Sequence, residues 1–148
     1  MIRKYSNEDK DKILGLLKLN IPKYFDPSEE NDLKNYLDKE VEDYFVVELE
    51  SVIVGAGGIN YFPEEKIARI SWDMIHPDYQ GKGVGKSLIK YRIDYIKAKN
   101  LFKIIEVRTS QLVADFYNKM GFELVNIEKD YWAKDYDLYQ MIYKKSLQ

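Results

Sequence analysis

Apolar and polar positions along this chain switch between two periods, and the switches mark out its elements. Residues 2–5 are a candidate short strand. Ser6 or Asn7 supplies a cap for a helix reaching to about residue 19, with Ile13, Leu14, Leu16 and Leu17 along one side. Pro22 and Pro27 bracket a loop. Ser28 and the acids after it open a second helix, in which Leu33, Tyr36, Leu37 and Val41 recur at helical spacing. Residues 44–49 and 52–62 are strands joined by a turn at Glu50-Ser51, and the glycines of the second imply a bulge or a close backbone approach. A further strand over 66–75 is stopped by His76-Pro77. After a glycine-rich turn, a helix runs to about residue 99, with Val84, Leu88, Tyr91, Tyr95 and Ile96 facing inward. Residues 102–107 form the next strand. Ser110 opens a short helix carrying Leu112, Val113, Phe116 and Met120, and Gly121 stops it. Strands around 122–128 and 138–143 finish the chain.

The resulting order, β-α-α-β-β-β-α-β-α-β-β, predicts a mixed α/β fold with a largely antiparallel first half. No internal repeat, low-complexity tract or linker breaks the 148 residues, so one domain over 1–148 is expected. With 45% hydrophobic residues the chain can build a core without staples. Its 23 basic and 25 acidic residues leave a net charge of -2, which gives no reason to expect nucleic acid as a partner. The absence of cysteine excludes disulfides, thiolate zinc sites and cysteine nucleophiles, and the single histidine, His76, excludes multi-histidine metal sites. No metal is expected. The N-terminus turns polar at once, and no run approaches the roughly 18 apolar residues that span a bilayer. The expected location is the cytoplasm, away from membranes.

The densest chemical signal is the turn Gln80-Gly81-Lys82-Gly83-Val84-Gly85-Lys86, which lies between a strand and a helix. Glycines let backbone N–H groups converge on one concavity, and the following helix adds the positive end of its dipole. Such a nest suits an anion, a pyrophosphate above all, with Lys82 and Lys86 at its rim. The plainer alternative is a tight turn that binds nothing. Gly85-Lys86-Ser87 match the end of a nucleotide-binding P-loop, but Gln80 stands where that motif has its first glycine. In the dinucleotide pattern G-x-G-x-x-G, Lys86 falls on the third glycine.

Gln80-x-x-Gly83-x-Gly85 does satisfy the pattern Q/R-x-x-G-x-G/A, and the stretch 75–88 around it resembles the acetyl-CoA-binding motif of the GNAT superfamily of N-acetyltransferases. Phe116-Tyr117-Asn118-Lys119-Met120-Gly121-Phe122 is similar to the Y-x-x-x-G-F element of the same family, and the element order matches as well. The resemblance implies a central, mostly antiparallel sheet of about seven strands flanked by about four helices. It implies an enzyme that passes an acetyl group from acetyl-CoA directly to a primary amine, on a small molecule or a peptide. Gly81, Lys82, Gly83, Val84, Gly85, Lys86 and Ser87, with Gln80, would hold the pyrophosphate, and Asp73, Met74 and Ile75 would pair with the pantetheine arm. Tyr117 would be the general acid for the leaving thiolate. Glu106 or Asp73 would be the base, and Gln111 would stand in for an asparagine that contacts the cofactor. Core packing for Tyr117 and a surface ion pair for Glu106 are the plainer readings. His76, at a strand end before proline, carries no such role. Tyr24, Phe25, Tyr131 and Trp132 are candidates for the acceptor cleft, and a homodimer is among the expectations. A non-catalytic acyl-CoA sensor or interaction module is the alternative, and a small phosphate-transferring enzyme a third.

Overall fold

The computed structural model describes residues 1–145. Its strands are β1 (Ile2–Lys4), β2 (Asp43–Leu49), β3 (Val52–Phe62), β4 (Ile67–Ile75), β5 (Ile104–Thr109), β6 (Phe122–Ala133) and β7 (Tyr136–Tyr143). They form one seven-stranded sheet in the order β1-β2-β3-β4-β5-β7-β6. Each neighbouring pair is antiparallel except β4 and β5. The helices are α1 (Lys10–Leu19), α2 (Glu29–Asn35), α3 (Val84–Lys99) and α4 (Ala114–Lys119). α3 makes the crossover that a parallel strand pair requires. The expected mixed α/β fold, mostly antiparallel with seven strands and four helices, is the one observed.

Each face of the sheet buries its own cluster. Leu88, Ile89, Ile93 and Ile96 of α3 and Tyr117 of α4 pack on one face, against Phe45, Ile59, Ile70, Ile105 and Val107. Ile13, Leu14, Leu16 and Leu17 of α1 and Leu33 of α2 pack on the other, against Tyr44, Val46, Ala56 and Met74.

Four departures from the expected elements have physical reasons. On α3 the inward stripe is Leu88, Ile89, Arg92, Ile93 and Ile96, and Tyr91 is 38% exposed. The rings of Tyr91 and Tyr95 instead meet Phe45 edge-on at 5.1 and 5.2 Å along the rim of the core. The short helix begins at Ala114 rather than at Ser110, whose hydroxyl accepts the Leu112 N–H in a local turn that competes with helix. Val41 lies beyond the second helix, which ends in a wide turn over Tyr36–Glu40. The segment 130–137 is not a loop: β6 continues to Ala133 and the chain reverses at Lys134-Asp135. β6 is an edge strand with mostly exposed side chains, so its sequence lacks the alternation that marks a half-buried strand.

The feature that positions the site is an opening in the sheet. β4 and β5 pair from Ile67↔Ile104 to Ile70↔Val107 and then part, leaving 71–75 without a partner on that side. At the parting point β4 carries a bulge: Trp72 has φ +50° and the β3–β4 register shifts between Ala56 and Gly58. A bulge reverses the alternation of side chains. Ile70 and Ile75, five residues apart, both reach the α3 face, whereas Met74 packs on the α1 face. Without the extra residue, Asp73 would point away from α3.

Candidate active site

The opening between β4 and β5 is part of a cavity of about 1140 Å³ that runs from the glycine turn, past the free edge of β4, to the α1–α2 side of the sheet. Gln80, Gly81, Gly83, Gly85 and Lys86 line one end. Gly81 and Gly83 adopt φ +74° and +85°, which residues with a Cβ rarely adopt, and no atom lies within 4 Å of where a Cβ would stand. Gly85 is different. A Cβ there would come within 3.1 Å of the Phe116 ring, so this glycine lets α4 approach α3. Gly83 caps α3 with no side-chain bond to the first-turn amides and no acid follows in that turn, so neither offsets the donors at this helix end. Gln80 braces the turn: its amide donates to Asn20 Oδ1 and Ile75 O, each at 3.3 Å, and accepts from Tyr24 Oη.

Asp73, Met74 and Ile75 line the middle of the cavity with Tyr117. Tyr117 Oη donates to Asp73 Oδ2 at 2.5 Å, and Asp73 Oδ1 lies 2.5 Å from Arg92 Nη1 in an ion pair. The Arg92 side chain is 0% exposed and that of Asp73 16%. Arg92 also donates to Gly58 O at 3.0 Å and Leu88 O at 3.2 Å, while among the described residues its Nη2 has no partner. Gly57 makes room for the pair, because a Cβ there would collide with the Asp73 carboxylate and come within 2.7 Å of Arg92 Nη1. Burial first, and the Asp73 carboxylate second, push the Tyr117 hydroxyl well above its ordinary range. Burial works against the charge on Arg92, but Asp73 outweighs it and the guanidinium is held above its ordinary value.

Other residues singled out from the sequence lie elsewhere. Glu106 is 4% exposed, does not line the cavity, and accepts from Arg69 Nε at 2.9 Å and Gln140 Nε2 at 2.6 Å, so both oxygens are engaged. Gln111 is spent on the β6–β7 hairpin, donating to Asp135 O at 2.7 Å and accepting from the Asp137 N–H at 2.9 Å. Val84 is core, and Lys82 and Ser87 are exposed outside the lining, Lys82 over the Tyr79 ring. Tyr131 is a surface residue bonded to Arg108.

Tyr24, Phe25 and Trp132 do line the far end of the cavity, together with Trp72, Tyr136 and Glu29. Phe25 stacks on Trp72 at 6.1 Å, and Tyr136 Oη donates to Pro22 O and Phe25 O, tying β7 to the α1–α2 loop. Glu29 accepts the Asp26 N–H at 2.8 Å. Burial, opposed by that bond and reinforced by Asp32 and Asp26, raises its carboxyl to about 7. Arg92 and Glu29 escaped the sequence reading, yet one signal was there: Arg92 falls on the stripe Leu88, Ile89, Ile93, Ile96.

No group of three or more His, Cys, Asp or Glu side chains among the described residues is arranged to hold a metal, and no helix among them is long and apolar enough to cross a membrane.

A model of the acetyltransferase (GNAT) family matches residues 11–122. The chain is 29% identical over 94 residues to an amino-acid acetyltransferase of Actinobacillus pleuropneumoniae serotype 3, an alignment covering 62% of this chain and 20% of that protein. The chain thus matches about a fifth of the length of such curated relatives. A GNAT-family structure from Desulfovibrio desulfuricans superposes with a TM-score of 0.82 at 15% identity, over 100% of this chain and 99% of that one. An aminoglycoside 6'-N-acetyltransferase complexed with coenzyme A superposes with a TM-score of 0.77 at 15% identity, over 100% and 97%.

Proposed function

The chain belongs to the acetyltransferase (GNAT) family, and from that premise we propose that it transfers an acetyl group from acetyl-CoA to a primary amine. The observation that carries this reading is a single cavity joining three things: an uncapped glycine turn at a helix N-terminus, a free strand edge, and a buried tyrosine hydroxyl. The cavity fits the cofactor by its donors. Amides of 81–86 would hold the pyrophosphate, with Lys86 adding charge, and the free edge of 71–75 would pair with the amide-bearing arm as an extra strand. Bound there, acetyl-CoA supplies an activated acetyl group and a sulfur that must gain a proton.

The chain's residues do the rest. The amine enters from the α1–α2 side, where Trp72, Phe25 and Trp132 exclude water and the acids Glu29, Glu40 and Glu42 suit an approaching ammonium. Tyr117 Oη, held by Asp73, is the proton-handling group at the point where the strand edge and the acceptor side meet. Calorimetry with acetyl-CoA, followed by thiol release against a panel of amino acids, polyamines and peptides, tests it. Saturable binding with amine-dependent thiol release is expected. Binding without release from any amine would leave a sensor in place of an enzyme, and no binding would end the proposal.

A further inference from the structure

Asp73, Arg92 and Tyr117 do something that the glycine turn and the strand edge do not explain. A buried arginine–aspartate pair is costly, and apolar side chains of similar volume usually serve a core as well or better. Here the pair sits at the mouth of the strand opening, and three local features accommodate it: the bulge at Trp72 turns Asp73 toward α3, Gly57 clears the space, and the Gly58 carbonyl holds Arg92. Tyr117 donates its own proton to Asp73, so its oxygen presents a lone pair, not a hydrogen, to an incoming group. With Tyr117 protonated the three groups sum to zero charge. Giving that proton away first would leave two anionic oxygens 2.5 Å apart beside one cation. Accepting a proton first leaves a net positive cluster facing a group that is becoming an anion.

We propose that Asp73 and Tyr117 act as one proton relay, anchored by Arg92, that takes the proton of the attacking amine and returns it to the departing sulfur. The relay rests on the acetyl-transfer reading. As the carbon–nitrogen bond forms, the amine N–H breaks and Oη binds that proton, while the proton already on Oη passes to Asp73 Oδ2. As the carbon–sulfur bond breaks, Oη delivers a proton to the sulfur and Oδ2 hands its own back to Oη. The ammonium loses its first proton to solvent before attack; from the neutral amine onward one N–H becomes one S–H and the cluster ends as it began. Asp73 and Arg92 act through Tyr117 and are positioning residues. A single group serves as base and acid, which accounts for Glu106 standing outside the cavity with both oxygens engaged.

The test replaces the pair by apolar residues, Asp73→Leu with Arg92→Met, so that no charge is stranded; Asp73→Asn alone is the shape-preserving second variant. Thermal melts establish folding and calorimetry establishes acetyl-CoA affinity, expected within about threefold of the wild type. Turnover is expected to fall on the order of 100-fold or more in both variants, the scale of a lost acid–base group. Arg92→Lys, which keeps the charge, is expected to recover most of the rate. In mixed light and heavy water the wild-type rate should show two protons in flight and Asp73→Asn one, a difference that a merely structural role would not produce. Independently of turnover, the carboxyl carbon resonance of labelled Asp73 in the ligand-free protein should move in Tyr117→Phe. A folded double variant that binds acetyl-CoA and turns over at the wild-type rate overturns the relay alone, as does an Asp73 resonance indifferent to Tyr117. A wild type that binds no acetyl-CoA fails the function and takes the relay with it.

Discussion

The Tyr117 hydroxyl is buried and hydrogen-bonded to a carboxylate, so it stays protonated well beyond neutral pH and exchanges its proton only with a partner brought to it. Tyr117→Phe removes the hydroxyl and nothing else of the ring, which keeps its edge-on contacts with Phe116 and Phe122. Its turnover should fall about 100-fold while acetyl-CoA affinity, by calorimetry, changes about twofold or less. Gly83→Val should do the reverse. A β-branched residue at φ +85° is strained by about 1–3 kcal/mol, and its methyls would stand in the space the cavity leaves beside the turn. Affinity for acetyl-CoA should drop at least tenfold, with the melting temperature lowered by a few degrees. At this scale the motif residues Gly81, Gly83 and Tyr117, singled out from the sequence, all line the cavity. Glu106 and Gln111 lie outside its lining, and strand alternation and a polar side chain do not reveal that Arg69, Gln140 and the β6–β7 hairpin bond those groups.

Among the elements, β4 and α2 do more than their patterns suggest. The sequence reads as one continuous strand over 66–75, yet the positive φ of Trp72, stabilised by stacking on Phe25 and by a bond from Tyr44 Oη to its carbonyl, splits β4 into a half paired with β5 and a half free on that side. Bulges of this kind depend on cross-strand partners, here Gly57 and Gly58, which is why β3's glycines hinted at an irregularity without locating it. The N-terminal turn of α2 buries Glu29, whose carboxyl is raised from 4.5 to about 7. Below about pH 4.5 the folded and unfolded chains both carry that proton. Between about 4.5 and 7 the unfolded chain loses it first, so the folded state holds more protons and stability falls as pH rises, levelling off above 7. Glu29→Gln keeps an acceptor for the Asp26 N–H and removes the titration. Its melting temperature should exceed the wild type's at pH 8 and match it near pH 4.5. An equal offset at both would show that Glu29 is ionised in the fold at little cost.

At the scale of the whole molecule, the order of elements was readable because α1 and α2 carry apolar stripes at helical spacing and turns such as Glu50-Ser51 and 80–86 separate the apolar runs. The parallel step at β4–β5 follows from α3 lying between them. What the pattern could not reveal is the parting of those two strands, since both keep apolar residues on the α3 face, and the course of β6, whose exposed edge gives no alternation. That parting and the turn beneath it receive one ligand together in the proposed enzyme. Amide hydrogen exchange with and without acetyl-CoA tests this most directly. Protection should appear at residues 71–75 of β4 and at 81–86 of the glycine turn, with little change along β1, β2 and β6. Exchange that slows elsewhere, or nowhere, at concentrations that saturate the protein would contradict it.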